Sequence, residues 1–417
     1  MEKRLFNSYP PSPPNTMRSL AATFNRTGWR RYAPIALVAV TAAVVLYTWF
    51  DVSSMVPWRP RLPNLQTFPV TPLAKACDNI PPPDPNTPTT DAGATNAPIP
   101  NLVHYIWLLA DPAVFTLNFK VFVSVYSAHL FFHPDLIYVH TDVSPDLWER
   151  AKSSGDLWTK RVLNIPAVTP KFIENPRLTS TGQEIDTFGA KSDFIRAWAL
   201  REHGGIYLDV DAVPLRDIAP LRNSGFANVV GGAVALHTKY TGFVNTGVWL
   251  SRPHSALAEV FATAMDKFYN GVWAISVDIL TDLAFRLHAL PGEVLIMHPN
   301  AFAPTSWEAE DQVRLFGEHA AGGLAGADAK GDAKLPKELG NTCADALAWL
   351  RAREMPGGRL ESWEMDFSST YVLHAFDDDW KGEISLDYVL GRRSNYARAV
   401  YPAVWHAVKE GVITEAA

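Results

Sequence analysis

Two acids one residue apart, Asp209 and Asp211, close the apolar run Ile206-Tyr207-Leu208. Read as a strand, the run alternates its side chains, which sends Asp209 and Asp211 to one side and Val210 to the other. Two carboxylates so placed repel each other unless a cation lies between them. Oxygen ligands without cysteine or clustered histidine suit Mg2+ or Mn2+. An ion only partly wrapped by protein keeps coordination sites for a diphosphate and can stabilise charge on a diphosphate leaving group. A bare D-x-D is weak, because acidic pairs on solvated turns are common. The apolar strand before it supplies the context that makes it informative.

The element before that strand also carries polar groups. Residues 190–203 read as a helix in which Phe194, Ile195, Trp198 and Ala199 form an apolar stripe, with Asp193, Arg196 and Leu200 on a neighbouring face. Gly204-Gly205 supplies the left-handed stop that ends helices. Asp193 and Arg196 could be a plain surface ion pair worth under about 1 kcal/mol. Their place just before the D-x-D strand favours contact with a donor substrate.

Stepping outward, strand-like runs at 102–108, 136–140, 206–210, 228–231, 247–251, 294–297 and 371–376 alternate with helical patterns at 115–132, 145–153, 190–203, 255–269, 277–287 and 343–353. That alternation predicts an α/β fold with a mostly parallel sheet flanked by helices, and ligands at the strands' carboxyl ends. The folded domain is expected over 99–414, with a small, polar, Gly-rich flexible insertion at 320–334.

Ahead of it, residues 33–50 form an uncharged stretch that as a helix would span about 27 Å, matching a thin bilayer. Residues 1–32 carry six basic side chains against the single acid Glu2. The positive-inside rule therefore predicts a cytoplasmic tail, a transmembrane signal anchor at 33–50 and a luminal remainder. The only N-x-S/T sequon, Asn25-Arg26-Thr27, would lie on the cytoplasmic side and carry no glycan. Eleven prolines between 51 and 98 predict an extended luminal stem. The net charge of −6 argues against a nucleic-acid binder, and two cysteines, Cys77 and Cys343, exclude a disulfide scaffold.

Three segments together resemble glycosyltransferase family 32 and its α1,4-galactosyltransferase and α-mannosyltransferase relatives, D-x-D sugar transferases of GT-A fold. They are Lys191–Pro214 with its S-D-x-x-R helix and D-x-D, the opening strand IPNLVHYIWLL at 99–109, and residues 245–269 followed by Asn270-Gly271. The resemblance covers most of 99–288 and is loose in the C-terminal third. It implies a GT-A, Rossmann-like sheet and a retaining hexosyltransferase in the Golgi or ER. Such an enzyme moves galactose or mannose from a UDP- or GDP-sugar to a glycan or glycolipid hydroxyl. Asp209 and Asp211 would be catalytic, holding Mn2+ (or Mg2+) and the donor diphosphate, with His374 completing the metal shell. Asp193, Arg196, Trp107, Tyr207 and Gly205 would line the donor, and Asn245, Asp278 and Trp380 the acceptor side.

Plainer duties compete at several of these positions. His104 and Trp107 read first as core residues, a lone His374 after an apolar run serves equally well as core, and Asp278 suits a helix cap. The relatives' H-x-G-P after Y-N-G is replaced here by Val272-Trp273-Ala274-Ile275-Ser276-Val277-Asp278, so their acceptor does not transfer. Two rival functions remain. One is a tethered sugar-binding scaffold without turnover. The other is a haloacid-dehalogenase-type phosphatase, in which Asp209 is the nucleophile and Phe376-Asp377-Asp378-Asp379 a late acidic motif. The latter expects Thr or Ser where Val213 stands.

Overall fold

The computed structural model describes residues 97–111, 113–234, 241–272, 274–319, 363–377 and 380–414. The predicted tail, anchor and nearly all of the stem lie outside these residues, as do the insertion at 320–334 and the helix at 343–353. Among the described residues no helix is long and apolar enough to cross a membrane.

The first half is built of strand–helix units. β1 (Leu102–Ile106) leads to α1 (Phe119–Phe132), β2 (Leu136–Thr141), α2 (Pro145–Ser154), α3 (Leu157–Leu163) and β3 (Val168–Phe172). After α4 (Phe188–His203) come β4 (Gly205–Leu208), β5 (Ala212–Pro214), α5 (Ala219–Arg222), β6 (Asn228–Val234) and β7 (Thr241–Ser251). α6 (Ala256–Phe268), α7 (Ile275–Leu287), β8 (Val294–Met297) and α8 (Ala309–Phe316) follow. The described chain closes with β9 (Val372–His374), α9 (Leu386–Gly391) and α10 (Asn395–Lys409).

Local chemistry sets the boundaries that matter for the site. α1 begins at Phe119, four residues later than the apolar periodicity suggests, where Asn118 accepts a hydrogen bond from Val121 N–H, and stops at His133, which is left-handed at φ 45. α4 is preceded by Thr187, whose hydroxyl accepts from Ala190 N–H, and followed by Gly204, which caps its end. Gly205 then adopts φ +103, and a Cβ there would lie 3.0 Å from the His104 ring, so only glycine fits.

Seven strands form one sheet in the order β3-β2-β1-β4-β7-β6-β8, and β5 pairs with β9 in a separate ribbon. Four of the six pairings in the sheet are parallel, while β7 runs antiparallel to both β4 and β6. The sheet is thus mostly parallel, as the alternation predicts. Side chains alternate across it: Ile206 and Leu208 enter the core shared with α1 and α10, and Tyr207 enters the opposite core with α4, α6 and α7. Buried on both faces, β4 is a rigid central strand, and its carboxyl end is where the two aspartates emerge.

Candidate active site

β4 stops at Leu208, so Asp209 and Asp211 do not share a strand face as predicted. They sit on a tight turn closed by Ala212 N–H donating to Asp209 O at 2.9 Å. The turn still converges the two carboxylates, because it feeds straight into β5, and β5 pairs Ala212 opposite His374 of β9. β9 itself spans only Val372–His374, shorter than the predicted 371–376. His374 Nε2 lies 3.3 Å from Asp211 Oδ1 and 3.6 Å from Asp209 Oδ2. One ligand atom from each of the three residues fits within 4.8 Å. Asp209 and Asp211 keep 24% and 17% of their side-chain surface open, so this cluster faces solvent on one side.

The hydrogen bonds around His374 fix which nitrogen faces the acids. Asn245 Oδ1 accepts from Gly247 N–H at 2.7 Å, which identifies that atom as the oxygen. His374 Nδ1, 3.0 Å from the same oxygen, must then donate to it, leaving Nε2 with its lone pair toward the carboxylates. A lone pair opposite two acids requires a cation, either a proton on Nε2 or a metal ion. An imidazole oriented from behind, with two hard oxygens beside it, is a donor set that fits Mn2+. Burial opposes the charged imidazolium, but Asp211 and Asp209 outweigh it and hold the His374 pKa above its ordinary value. Burial also pushes the Asp211 carboxyl up. His374 and the backbone N–H of Asp377 pull it down further, and the net shift is downward.

β7 delivers Asn245 through a bulge. Where β6 advances one residue, Val230 to Gly231, β7 advances four, Trp249 to Asn245. Thr246, Gly247 and Val248 thus have no partner on β6; Val248 stays paired with Leu208 of β4, and Gly247 O accepts from Asp209 N–H at 2.8 Å. A Cβ on Gly247 would clash with the His374 ring and come within 2.6 Å of Asp209 Oδ2. Sequence reading did not single out Gly247; the signal available was the glycine two residues after Asn245. Asn245 itself lies behind His374 rather than on an open acceptor face.

Behind the acids, α4 contributes an ionic clamp. Arg196 Nη2 is 3.1 Å from Asp193 Oδ1 and 3.2 Å from Asp209 Oδ1, and Nη1 donates to Thr246 O at 2.6 Å. Its guanidinium lies 4.4 Å above the Tyr207 ring, and Tyr207 OH donates to Asp209 Oδ1 at 2.6 Å. Burial disfavours the Arg196 charge, yet Asp209, Tyr207 and Asp193 more than restore it. Burial pushes the Asp193 carboxyl up to about 6 against the pull of Arg196 and Ser276, and its Oδ2 has no hydrogen-bond partner among the described residues. Asp193, Arg196, Tyr207 and Asp209 therefore form one connected group in which Arg196 and Tyr207 face the aspartates.

The other predicted residues are more scattered. Trp107 follows β1 directly and is held by its N–H donating to His140 O, at the same sheet edge as Asp209. Gly205 sits at the opposite end of β4, packed under β1. Asp278 lies exposed in the first turn of α7; the N-cap position of that helix is Ala274. His104 is a core histidine, with Nε2 donating to Gly204 O at 2.8 Å and Nδ1 accepting from His140 Nε2 at 2.9 Å. Asp377, read above as a late acidic motif, is buried and pairs with Lys120 at 2.7 Å. Trp380 lies beyond it, stacked on Phe316.

An α/β sheet that presents an Asp-Asp-His cluster at a strand's carboxyl end defines a candidate diphosphate-metal site. Residues 123–227, which include Asp209 and Asp211, match the family model described as "Glycosyltransferase sugar-binding region containing DXD motif". It is 24% identical over 221 residues to Glucan organizing enzyme 1 of Cryptococcus neoformans var. grubii, covering 51% of this chain and 56% of that one. The chain thus spans a little over half the length of that relative. Among solved structures it is similar to GlyE, a glycosyltransferase of Streptococcus pneumoniae, with 12% identity, TM-score 0.35, and 75% of this chain and 64% of that one covered. It is also similar to PaToxG glycosyltransferase, with 16% identity, TM-score 0.32, and 47% and 71% covered.

Proposed function

We propose that this chain is a metal-dependent glycosyltransferase of GT-A fold that transfers a hexose, with retention, from a UDP- or GDP-sugar to a hydroxyl of a glycan or glycolipid. The observation that carries this reading is the convergence of Asp209, Asp211 and the oriented Nε2 of His374, inside and beside the matched D-x-D region. Asp209, Asp211 and His374 would hold Mn2+ or Mg2+, which when bound supplies positive charge to the departing nucleoside diphosphate. Arg196 and Tyr207 fix Asp209, Asn245 fixes His374, and the buried Asp193 holds Arg196 from beneath through its Oδ1. In the transfer the anomeric carbon–phosphate oxygen bond breaks and a bond to the acceptor oxygen forms; the acceptor proton leaves with the diphosphate. The basic tail, the apolar span at 33–50 and the proline-rich stem support a single-pass type II protein of the Golgi or ER membrane with a luminal catalytic domain.

A donor panel tests the reading. Incubated with Mn2+ and UDP-galactose, UDP-glucose or GDP-mannose in turn, the protein should release free sugar and nucleoside diphosphate from one of them. Release should vanish in EDTA. Inorganic phosphate as the product would point to the phosphatase reading, and no product from any donor would point to a scaffold.

A further inference from the structure

We propose that the cavity beside Asp377 is the acceptor subsite, and that the acceptor it takes is a neutral saccharide; this rests on the transferase reading above. The cavity is about 280 Å3, at the small end of ligand sites, which begin near about 300 Å3. It holds one sugar ring and leaves the rest of the acceptor outside. Its walls come from three separate segments: Asn118 and Lys120 at the start of α1, Trp158 at the start of α3, and Asp377, Trp380 and Glu383 after β9. Asp377 ties the cavity to the metal cluster, because its backbone N–H is the one that hydrogen-bonds Asp211. A ring in this cavity is therefore one residue removed from a proposed metal ligand.

The lining has the chemistry of a hydroxylated ring. Trp380 stacks on Phe316 with centroids 5.2 Å apart, and Trp158 tilts against Phe119 at 4.8 Å and Phe122 at 5.4 Å. Two indoles fixed in this way offer apolar walls whose ordering cost is already met on folding. The polar groups are of the kinds that bind hydroxyls. Asn118 Oδ1 is occupied by Val121 N–H, which leaves its amide N–H groups to donate. Glu383 makes no ion pair among the described residues and accepts. Charge settles the class. Lys120 is neutralised by Asp377, so Glu383 leaves the cavity net negative, and an anionic sugar would be repelled where a neutral one is not. The larger cavity, about 680 Å3 around Tyr126, His129, Lys160 and Arg161, shares no lining residue with this one or with the metal cluster.

The test uses the full-length protein with Mn2+ and whichever donor it hydrolyses, and compares nucleoside diphosphate release with and without added sugar. The probes are methyl α-mannoside, methyl β-galactoside, methyl β-glucoside and, as the anionic counterpart, glucuronate. At least one neutral glycoside should accelerate release while glucuronate does not. Glu383→Gln and Trp380→Phe should each raise the half-saturating sugar concentration, the former roughly tenfold, as expected for one charge-assisted hydrogen bond. The assignment is overturned if no neutral glycoside accelerates release, if glucuronate does so equally, or if both folded variants keep the wild-type half-saturation. No release from any donor in the wild type would sink the transferase reading itself, and the subsite with it.

Discussion

Asn245 works from behind the site: its oxygen forces the proton of His374 onto Nδ1 and so presents Nε2 to Asp209 and Asp211. Partners of this sort govern metal affinity by roughly 10–100-fold. Asn245→Ala should accordingly weaken Mn2+ binding by about that factor while the fold persists; calorimetric titration of Mn2+ into both proteins measures it. Gly247→Ala should do the same by steric means, since the added methyl enters the space of His374 and Asp209. At this scale the sequence was informative about chemistry and poor about position. The two acids and the Asp193–Arg196 pair were legible from residue type and spacing, while His374 came only from the family resemblance and read equally well as core. Asn245 was not assignable to His374, because 129 residues separate them and only the β7 bulge brings them together.

Among the elements, the loop after β9 deserves a direct test. It starts directly after His374, passes through Phe376 in a left-handed conformation at φ 51, and presents the Asp377 N–H to Asp211. Lys120 at the start of α1 pins it through the Asp377 carboxylate. Lys120→Met should loosen the loop and weaken Mn2+ binding severalfold, whereas Lys120→Arg should restore it. Simple electrostatics has the opposite sign, since removing a nearby cation would tighten binding of another, so the direction of change decides between them.

The histidines between β1 and β2 give a second prediction at this scale. Burial holds the His104 pKa down to about 4, and that of His140 well below its ordinary value. The unfolded chain titrates near 6.5, so the stability tied to neutral His104 is present above that pH and lost as pH falls toward 4. Between pH 7 and pH 5 the loss should be about 2 kcal/mol from His104. Asp193 acts oppositely, its contribution fading as pH rises from 3.8 to about 6. The difference in urea unfolding between wild type and His104→Gln across that range isolates the histidine term, and a pH-independent difference would contradict it. Long apolar elements such as β2, α4 and α6 were legible from periodicity. β3 was missed because it is an edge strand carrying Pro170 and Lys171, and α10 because Pro402 interrupts its pattern.

At the scale of the fold, the two largest hydrophobic cores among the described residues lie on opposite faces of the seven-stranded sheet, and the proposed chemistry gathers where β4 ends between them. The α/β class followed from alternation of apolar runs. The separate β5–β9 ribbon that carries His374 to the aspartates did not, because pairing across some 160 residues leaves no local trace. The N-terminal span at 33–50 predicts that full-length protein stays with membranes through alkaline carbonate washing. A chain beginning at residue 97 should be released; retention of that shorter chain would contradict the signal-anchor proposal.

The central claim is that one divalent ion is held jointly by Asp209, Asp211 and His374. Titration of Mn2+ into the protein with UDP or GDP present, for wild type, Asp211→Asn and His374→Ala, tests it most directly. One ion should bind per wild-type chain, and binding should be lost or weakened by at least roughly tenfold in each variant. Unchanged stoichiometry and affinity in both variants would contradict it.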